Sequence, residues 1–446
     1  MKRKICSALC ILCLLTLLFC TLSACKAGDA TGITSAEINE NGELILTYSD
    51  GKRQNLGVVV GKDGADGADG EDGVGGADGT ISIIENGSAV PAACAKGLRS
   101  AVSIVCKFQA TVQQGGWRPG SGGTTTKDYS SAGSGVIYQM DKAAGDAFII
   151  TNYHVVYDAS SNTENGISND ISVYLYGAEI EERAMKATYV GGSLYYDIAV
   201  LRVEDSEILS ASSACAVSVA DSDKIAVGES AIAIGNAQGL GISSTSGVVS
   251  VDSERITMTA ADGKTSVSFR VMRVDTAINS GNSGGGLYDG EGNLIGIVNA
   301  KIVYDGVENI GYAIPSNVAV SVAENIIDYC YGTEIERVQR AVVGITVTAT
   351  DSKAVFDMET GRMTILETVS VYEIADGSLA DGVLQAGDLL VSVSVGDNTT
   401  SVTRQYHIID MMLDVRVGDV VTLNILRADE EKSVSITITE NCLVAY

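Results

Sequence analysis

The chain has 446 residues, 46% of them hydrophobic but only 5% aromatic, with 50 glycines, 3 prolines and a formal charge of −26. Its length allows two or three domains, and apolar residues in short Val-, Ile- and Ala-rich runs favour β structure over long helices. The acidity argues against a nucleic-acid partner, which needs a basic surface, and against electrostatic docking on anionic lipid.

The N-terminus, "MKRKICSALCILCLLTLLFCTLSACKAGD", opens with a basic stretch followed by an apolar run from Ile5 to Leu22. The run approaches spanning length, but "LSAC", Leu22 to Cys25, resembles the bacterial lipobox. That resemblance implies a signal over residues 1–24 and lipid on Cys25. It reads ahead of a membrane span, and a span ahead of ordinary cleaved secretion. Beyond Cys25 the cysteines are Cys94, Cys106, Cys215, Cys330 and Cys442. This odd, scattered set has no metal-ligand spacing and makes a poor disulfide framework. A Cys94–Cys106 bridge stays open, with small buried residues the favoured reading.

Residues 33–60 alternate apolar and polar around "NG" and "DG", the pattern of a small β-hairpin module within a tether of residues 25–60. Glycine then falls at 61, 64, 67, 70, 73, 76 and 79. Period-three glycine is the collagen signal, but the tract is short and lacks proline. A flexible acidic spacer over 61–80 is preferred to a triple helix, which a trimeric body downstream would favour.

From residue 95 to 315 the chain is a series of short strands separated by turns, among them "AVSIVCKF", "GSGVIYQM", "AFIITNYHVV", "DIAVLRV", "ESAIAIG" and "NLIGIVNAKIV". A helix follows, with Ser316 as its N-cap, Val318, Val322 and Ile326 on one face and an end near Cys330. Residues 338–440 form a further α+β unit.

The chain has two histidines, His154 and His407. Taken singly, His154 at the end of an apolar run reads as a core histidine, Asp197 as a strand-edge acid, and Ser283 in "INSGNSGGGL" as a turn residue. Taken together they follow the order His, Asp, Ser in a chain of short strands, which is an arrangement for activating a serine nucleophile. "TNYHVV", "DIAVL", "GNSGG", "AIGNAQGLGISSTSGVVS" and "NIGYAIPSN" resemble the HtrA/Deg family of trypsin-like serine endopeptidases, continuously from about residue 98 to 330.

The resemblance implies a mainly β fold: a chymotrypsin-like double six-stranded antiparallel β-barrel over 95–332. It implies Ser283 as nucleophile, His154 as general base and Asp197 as its orienting acid, with the amides of Gly281 and Ser283 forming the oxyanion hole. Asn282 and Gly284 are read as turn geometry. By analogy with trypsin-like enzymes the primary pocket is floored by Ala277, with Ile278 and 298–302 around it. Lacking an acid, it would prefer aliphatic side chains. Ser280 and Gly286 stand where the family commonly has proline, and Tyr153 replaces a polar residue.

Residues 338–440 resemble a PDZ domain of the bacterial protease type. The resemblance rests on "AVVGITV", "SLADGVLQAGDLLVSV", the amphipathic "RQYHIIDMML" and "GDVVTLNILR". Val343, Gly344 and Ile345 would then centre the loop that binds a peptide's terminal carboxylate. An ordinary strand-entry glycine is the even alternative for Gly344, and His407 is read as an exposed helix position. The expected activity is ATP-independent cleavage of unfolded or misfolded chains at the outer face of the cytoplasmic membrane. The enzyme would be lipid-anchored, probe peptide C-termini through its PDZ unit, and use no cofactor or metal. The family resemblance implies a homotrimer. A non-proteolytic chaperone or peptide sensor is the alternative function, and an adhesive surface protein a weaker third.

Overall fold

The computed structural model describes residues 33–38, 43–58, 89–113, 124–300, 310–358 and 361–446. The expected lipidated Cys25, the glycine tract at 61–80, and Lys301 and Ile302 of the pocket wall lie outside these. The chain divides into two compact units, Met1–Ile81 and Ser82–Tyr446. In the first, β1 (Ile33–Ile38), β2 (Glu43–Tyr48) and β3 (Arg53–Val58) form an antiparallel sheet in chain order. The hairpin module is thus three-stranded.

The second unit begins with helix α1 (Ala89–Leu98) and continues into β4 (Ala101–Gln113), β5 (Thr124–Asp141), β6 (Asp146–Thr151), β7 (Asp170–Leu175), β8 (Met185–Ser193) and β9 (Ile198–Val203). These close into a barrel in the order β4-β5-β6-β9-β8-β7. A one-turn helix α2 (Tyr153–Val156) follows β6, and α3 (Glu207–Ala211) follows β9.

β10 (Ser230–Gly235), β11 (Ser243–Thr259), β12 (Ser266–Val274), β13 (Gly286–Tyr288), β14 (Leu294–Val298) and β15 (Gly311–Pro315) close a second barrel in the equivalent order β10-β11-β12-β15-β14-β13. Closure leaves neither ring an unpaired edge.

The apolar runs without alternation have a physical reason. On β6, Ile149 joins the core inside the first barrel, whereas Ile150 joins the core that continues into the second barrel and the following helix. Both faces are buried, so both must be apolar.

That helix, α4 (Ser316–Cys330), buries Val318, Val322 and Ile326 against both barrels, and the chain turns out of it through Gly332 at φ +73°. Ser316 does not cap it. Its hydroxyl donates to the Ala220 carbonyl at 2.7 Å, and the helix begins at Ser316 itself.

The C-terminal region is α+β. β16 (Gln339–Ala341) pairs with β23 (Leu443–Ala445). A second sheet runs β17 (Ile345–Asp357), β18 (Arg362–Ile374), β19 (Leu389–Val395), β21 (Val420–Arg427), β22 (Glu430–Thr437), with β20 (Asn398–Ser401) beside β19. The stretch "AVVGITV" is not one strand: β16 ends at Ala341 and β17 begins at Ile345, with Gly344 between them at φ +86°. Helix α5 (Gln405–Asp414) buries Ile408, Met412 and Leu413, while Ile409 is only half-buried.

α5 packs on α4, and an ion-pair cluster fastens it to the second barrel. Arg270 of β12, nearly buried, reaches Asp223 at 2.8 Å and Asp410 at 3.1 Å and lies 3.9 Å over the Tyr406 ring. His407 is half-buried rather than exposed, accepts from the Thr403 amide at 3.3 Å, and is held below the ordinary histidine pKa chiefly by burial.

Candidate active site

The end of β6 brings the imidazole to the junction of the barrels. Asn152 is fully buried, and its Nδ2 donates to the Asp197 carbonyl at 2.9 Å; the Tyr153 amide donates to the same oxygen at 3.2 Å. These bonds draw the chain out of the extended course expected for "AFIITNYHVV". His154 therefore lies on the α2 turn, anchored by buried Val155 and Val156, and not on a strand.

Asp197 immediately precedes β9 and has φ +53°. Aspartate enters this left-handed region more readily than most residues with a Cβ. Its carboxylate is buried and well supplied with donors. Oδ1 accepts from the His154 amide at 3.0 Å; Oδ2 accepts from His154 Nδ1 at 2.6 Å and from Asn299 Nδ2 at 2.8 Å.

A carboxylate can only accept, so Nδ1 carries the proton and Nε2 is left as an acceptor. Nε2 lies 2.9 Å from Ser283 Oγ, which places the hydroxyl proton where the imidazole can take it. The structure thus joins Asp197, His154 and Ser283, contributed by both barrels.

The loop carrying Ser283 is held by its own turns and by the first barrel. Asn282 N donates to Asn279 O at 3.0 Å, Gly285 N to Asn282 O at 2.9 Å and Gly284 N to Val298 O at 3.0 Å. Ser134 reaches across with two groups that make three bonds. Its amide donates to Ser283 O at 2.8 Å, its hydroxyl donates to Gly281 O at 2.7 Å, and that hydroxyl accepts from Asn236 N at 2.7 Å. Thr151 Oγ1 in turn donates to Ser134 O at 2.7 Å.

Among the described residues, the amides of Gly281 and Ser283 donate to no protein acceptor. Gly281 has φ +95°, and a Cβ there would lie 2.2 Å from Asn236 O. At Gly284, φ +82°, a Cβ would lie 2.2 Å from Ser134 O and 2.3 Å from Thr151 Oγ1. Glycine is required at both positions by backbone conformation and by contact.

Ala277 is exposed, and its carbonyl accepts from Thr245 Oγ1 at 2.9 Å. Ile278 is half-buried over Gly311, where its Cδ1 lies 2.5 Å from the position a Cβ would take. Val298, the last residue of β14, and Asn299 and Ala300 after it are buried.

In the C-terminal region Val343 is a core residue whose carbonyl accepts from Ala380 N at 3.0 Å, and Gly344 O accepts from Ala375 N at 2.8 Å. A Cβ on Gly344 would lie 2.1 Å from Ser378 Cβ, so packing alone demands glycine there. Ile345 opens β17 opposite Ile374. Cys94 and Cys106 are both unpaired, and burial pushes the Cys106 thiol up to about 12.

Sequence reasoning missed Ser134, Asn152 and Asn299. Ser134 had a usable signal in the glycines on either side of it. A Cβ at 133 would lie 2.6 Å from a Val155 methyl, and one at 135 would lie 2.7 Å from an Ile149 methyl. The sequence marks that close approach; Asn152 and Asn299 carry no comparable mark.

The chain's likeness to known proteins agrees with this geometry. The family model for a trypsin-like peptidase domain matches residues 133–297. The serine protease Do-like HtrA of Lactococcus lactis subsp. cremoris (strain MG1363) is 32% identical over 335 residues, covering 72% of this chain and 74% of that protein. The protein of the same name from Bacillus subtilis (strain 168) is 30% identical over 353 residues, covering 77% and 71%. Periplasmic serine endoprotease DegP of Escherichia coli (strain K12) is 29% identical over 335 residues, covering 75% and 62%. Twin barrels, a serine–imidazole–carboxylate contact between them and a shared sequence over most of both chains lead to one assignment: the chain belongs to the HtrA family of serine proteases.

Proposed function

We propose that the protein is an HtrA-type serine endopeptidase in which Ser283, His154 and Asp197 carry the reaction. One observation carries the reading: the unbroken contact from Asp197 Oδ2 through His154 Nδ1 at 2.6 Å and His154 Nε2 to Ser283 Oγ at 2.9 Å. Ser283 Oγ attacks the peptide carbonyl as His154 takes its proton; the imidazolium then protonates the leaving amine, with Asp197 holding the ring throughout. The amides of Gly281 and Ser283 receive the oxyanion. Losing one such donor in enzymes of this chemistry costs on the order of 2.7–4 kcal/mol of transition-state stabilisation. Ala277 and Ile278 form a modest pocket for aliphatic side chains.

The protease domain spans 95–332 and a PDZ domain spans 338–440. β17 is an edge strand of its sheet, the feature a peptide needs to add itself as a further strand. Val343, Gly344 and Ile345 would meet the terminal carboxylate of such a peptide. The substrates are unfolded or misfolded chains. The resemblance of "LSAC" to a lipobox supports lipid on Cys25 at the outer face of the cytoplasmic membrane, with residues 25–60 as tether and 61–80 as spacer, and the family resemblance supports a homotrimer.

The test is hydrolysis of unfolded casein by wild type and Ser283→Ala, with mapping of the residue labelled by a serine-directed organophosphate. Wild-type cleavage, label on Ser283 and loss of turnover by about 10⁴-fold or more in the variant are expected. Equal turnover of the two proteins would sink the protease reading in favour of a binding or chaperone role.

A further inference from the structure

Asp197 is supplied by the first barrel, yet one of the two donors on its Oδ2 comes from the second. Asn299 directly follows β14, is fully buried, and is tied to β15 by its amide, which donates to Tyr312 O at 2.9 Å. Its Nδ2 then reaches Asp197 Oδ2 at 2.8 Å, across 102 residues of sequence.

The position makes physical sense. A buried carboxylate needs a donor for each oxygen it keeps from water. Oδ1 has the His154 amide at 3.0 Å, which fixes that half of the group. Without Asn299, the remaining assigned donor to Oδ2 would be the imidazole, the very group the acid must orient. The chemistry of the donor matters too. A Lys or Arg at 299 would direct the carboxylate equally well but would cancel its charge and weaken its hold on the imidazolium. A neutral amide directs the oxygen while leaving the charge in place.

We propose that Asn299 is a positioning residue for proteolysis. It fixes the plane of the Asp197 carboxylate so that Oδ2 stays on His154 Nδ1, and it ties the acid to the same barrel that bears Ser283. This inference rests on the triad reading above.

Asn299→Asp and Asn299→Ala test it, with wild type and Ser283→Ala measured alongside on casein. Aspartate keeps the shape of asparagine but loses the N–H donors and, once ionised, sets a second charge about where Nδ2 stood, 2.8 Å from Asp197 Oδ2. Alanine removes the donor without adding a charge, so a role in packing alone predicts lower stability but wild-type kcat in Asn299→Ala. The proposal predicts a fall in kcat of roughly 10- to 100-fold for both variants at neutral pH, with KM nearly unchanged. The two variants should also differ in their pH profiles. The introduced carboxyl donates only while it keeps its proton, so the Asn299→Asp deficit narrows as the pH approaches about 5 and widens above neutrality. The Asn299→Ala deficit stays level.

Wild-type kcat in either variant overturns the proposal, as does an Asn299→Asp deficit that ignores pH. Should one variant fail to fold by thermal melting, the other decides. Wild type indistinguishable from Ser283→Ala would instead remove the protease reading itself. Wild type that cleaves, beside unimpaired Asn299 variants, removes only this inference.

Discussion

Ser134→Ala is the most informative perturbation of the nucleophile loop, because one hydroxyl serves both barrels. It donates to Gly281 O and accepts from Asn236 N, each at 2.7 Å, in a fully buried setting. Alanine keeps the backbone bond to Ser283 O and the Thr151 bond to Ser134 O, but leaves one carbonyl and one amide without partners. Each orphaned buried group costs about 1–3 kcal/mol, so the variant should lose roughly 2–6 kcal/mol of stability. Part of that loss falls on catalysis, since the Gly281 peptide carries a proposed oxyanion donor. Outright loss of such a donor costs about 10²–10³ in kcat; the surviving Ser134 bonds restrain the loop, and about 10- to 100-fold is expected here. Urea unfolding gives the first quantity and casein kcat/KM the second. A destabilised variant with wild-type kcat/KM would show that the clamp supports the fold but not the chemistry. Unchanged stability would refute the hydrogen-bond accounting altogether.

Two further outcomes follow from the same packing. Gly284→Ala forces a left-handed residue with a Cβ 2.2 Å from Ser134 O. A cost on the order of 3 kcal/mol or more is expected, read as a lower urea midpoint, and a midpoint equal to wild type would contradict the geometry. Asp410 is mostly buried against Arg270, and desolvation outweighs that partner and raises its carboxyl from 3.8 to about 6. The folded state therefore binds this proton more tightly than the unfolded chain. The stability it contributes is full below about pH 4 and is lost as the pH rises through about 6. Asp410→Asn removes this dependence, so its stability relative to wild type should rise by up to about 2–3 kcal/mol between pH 4 and 7. Parallel melting curves across that range would refute it.

The three principal residues were legible because each sits in a short string whose neighbours are constrained locally. "TNYHVV", "DIAVL" and "GNSGG" need no knowledge of pairing. Ser134 and Asn299 meet their partners across 147 and 102 residues, and no window of sequence contains both ends of such a bond. The turn bearing His154 was misread as strand for a related reason: the two bonds to the Asp197 carbonyl override the extended preference of the apolar run. Ser316 has the composition of a cap, but its hydroxyl is committed to Ala220. Strand existence was readable from alternation and turn residues, whereas the closure order of each ring depends on pairings that only the folded chain supplies.

The strand order also sets a timetable. β15 lies between β12 and β14 and is the last of the twelve barrel strands to be synthesised. If the chain folds in the order of its sequence, the imidazole and acid sit in a finished ring while the serine is still attached to an open sheet. Hydrolytic power therefore arrives late and all at once, after the final staves are in place.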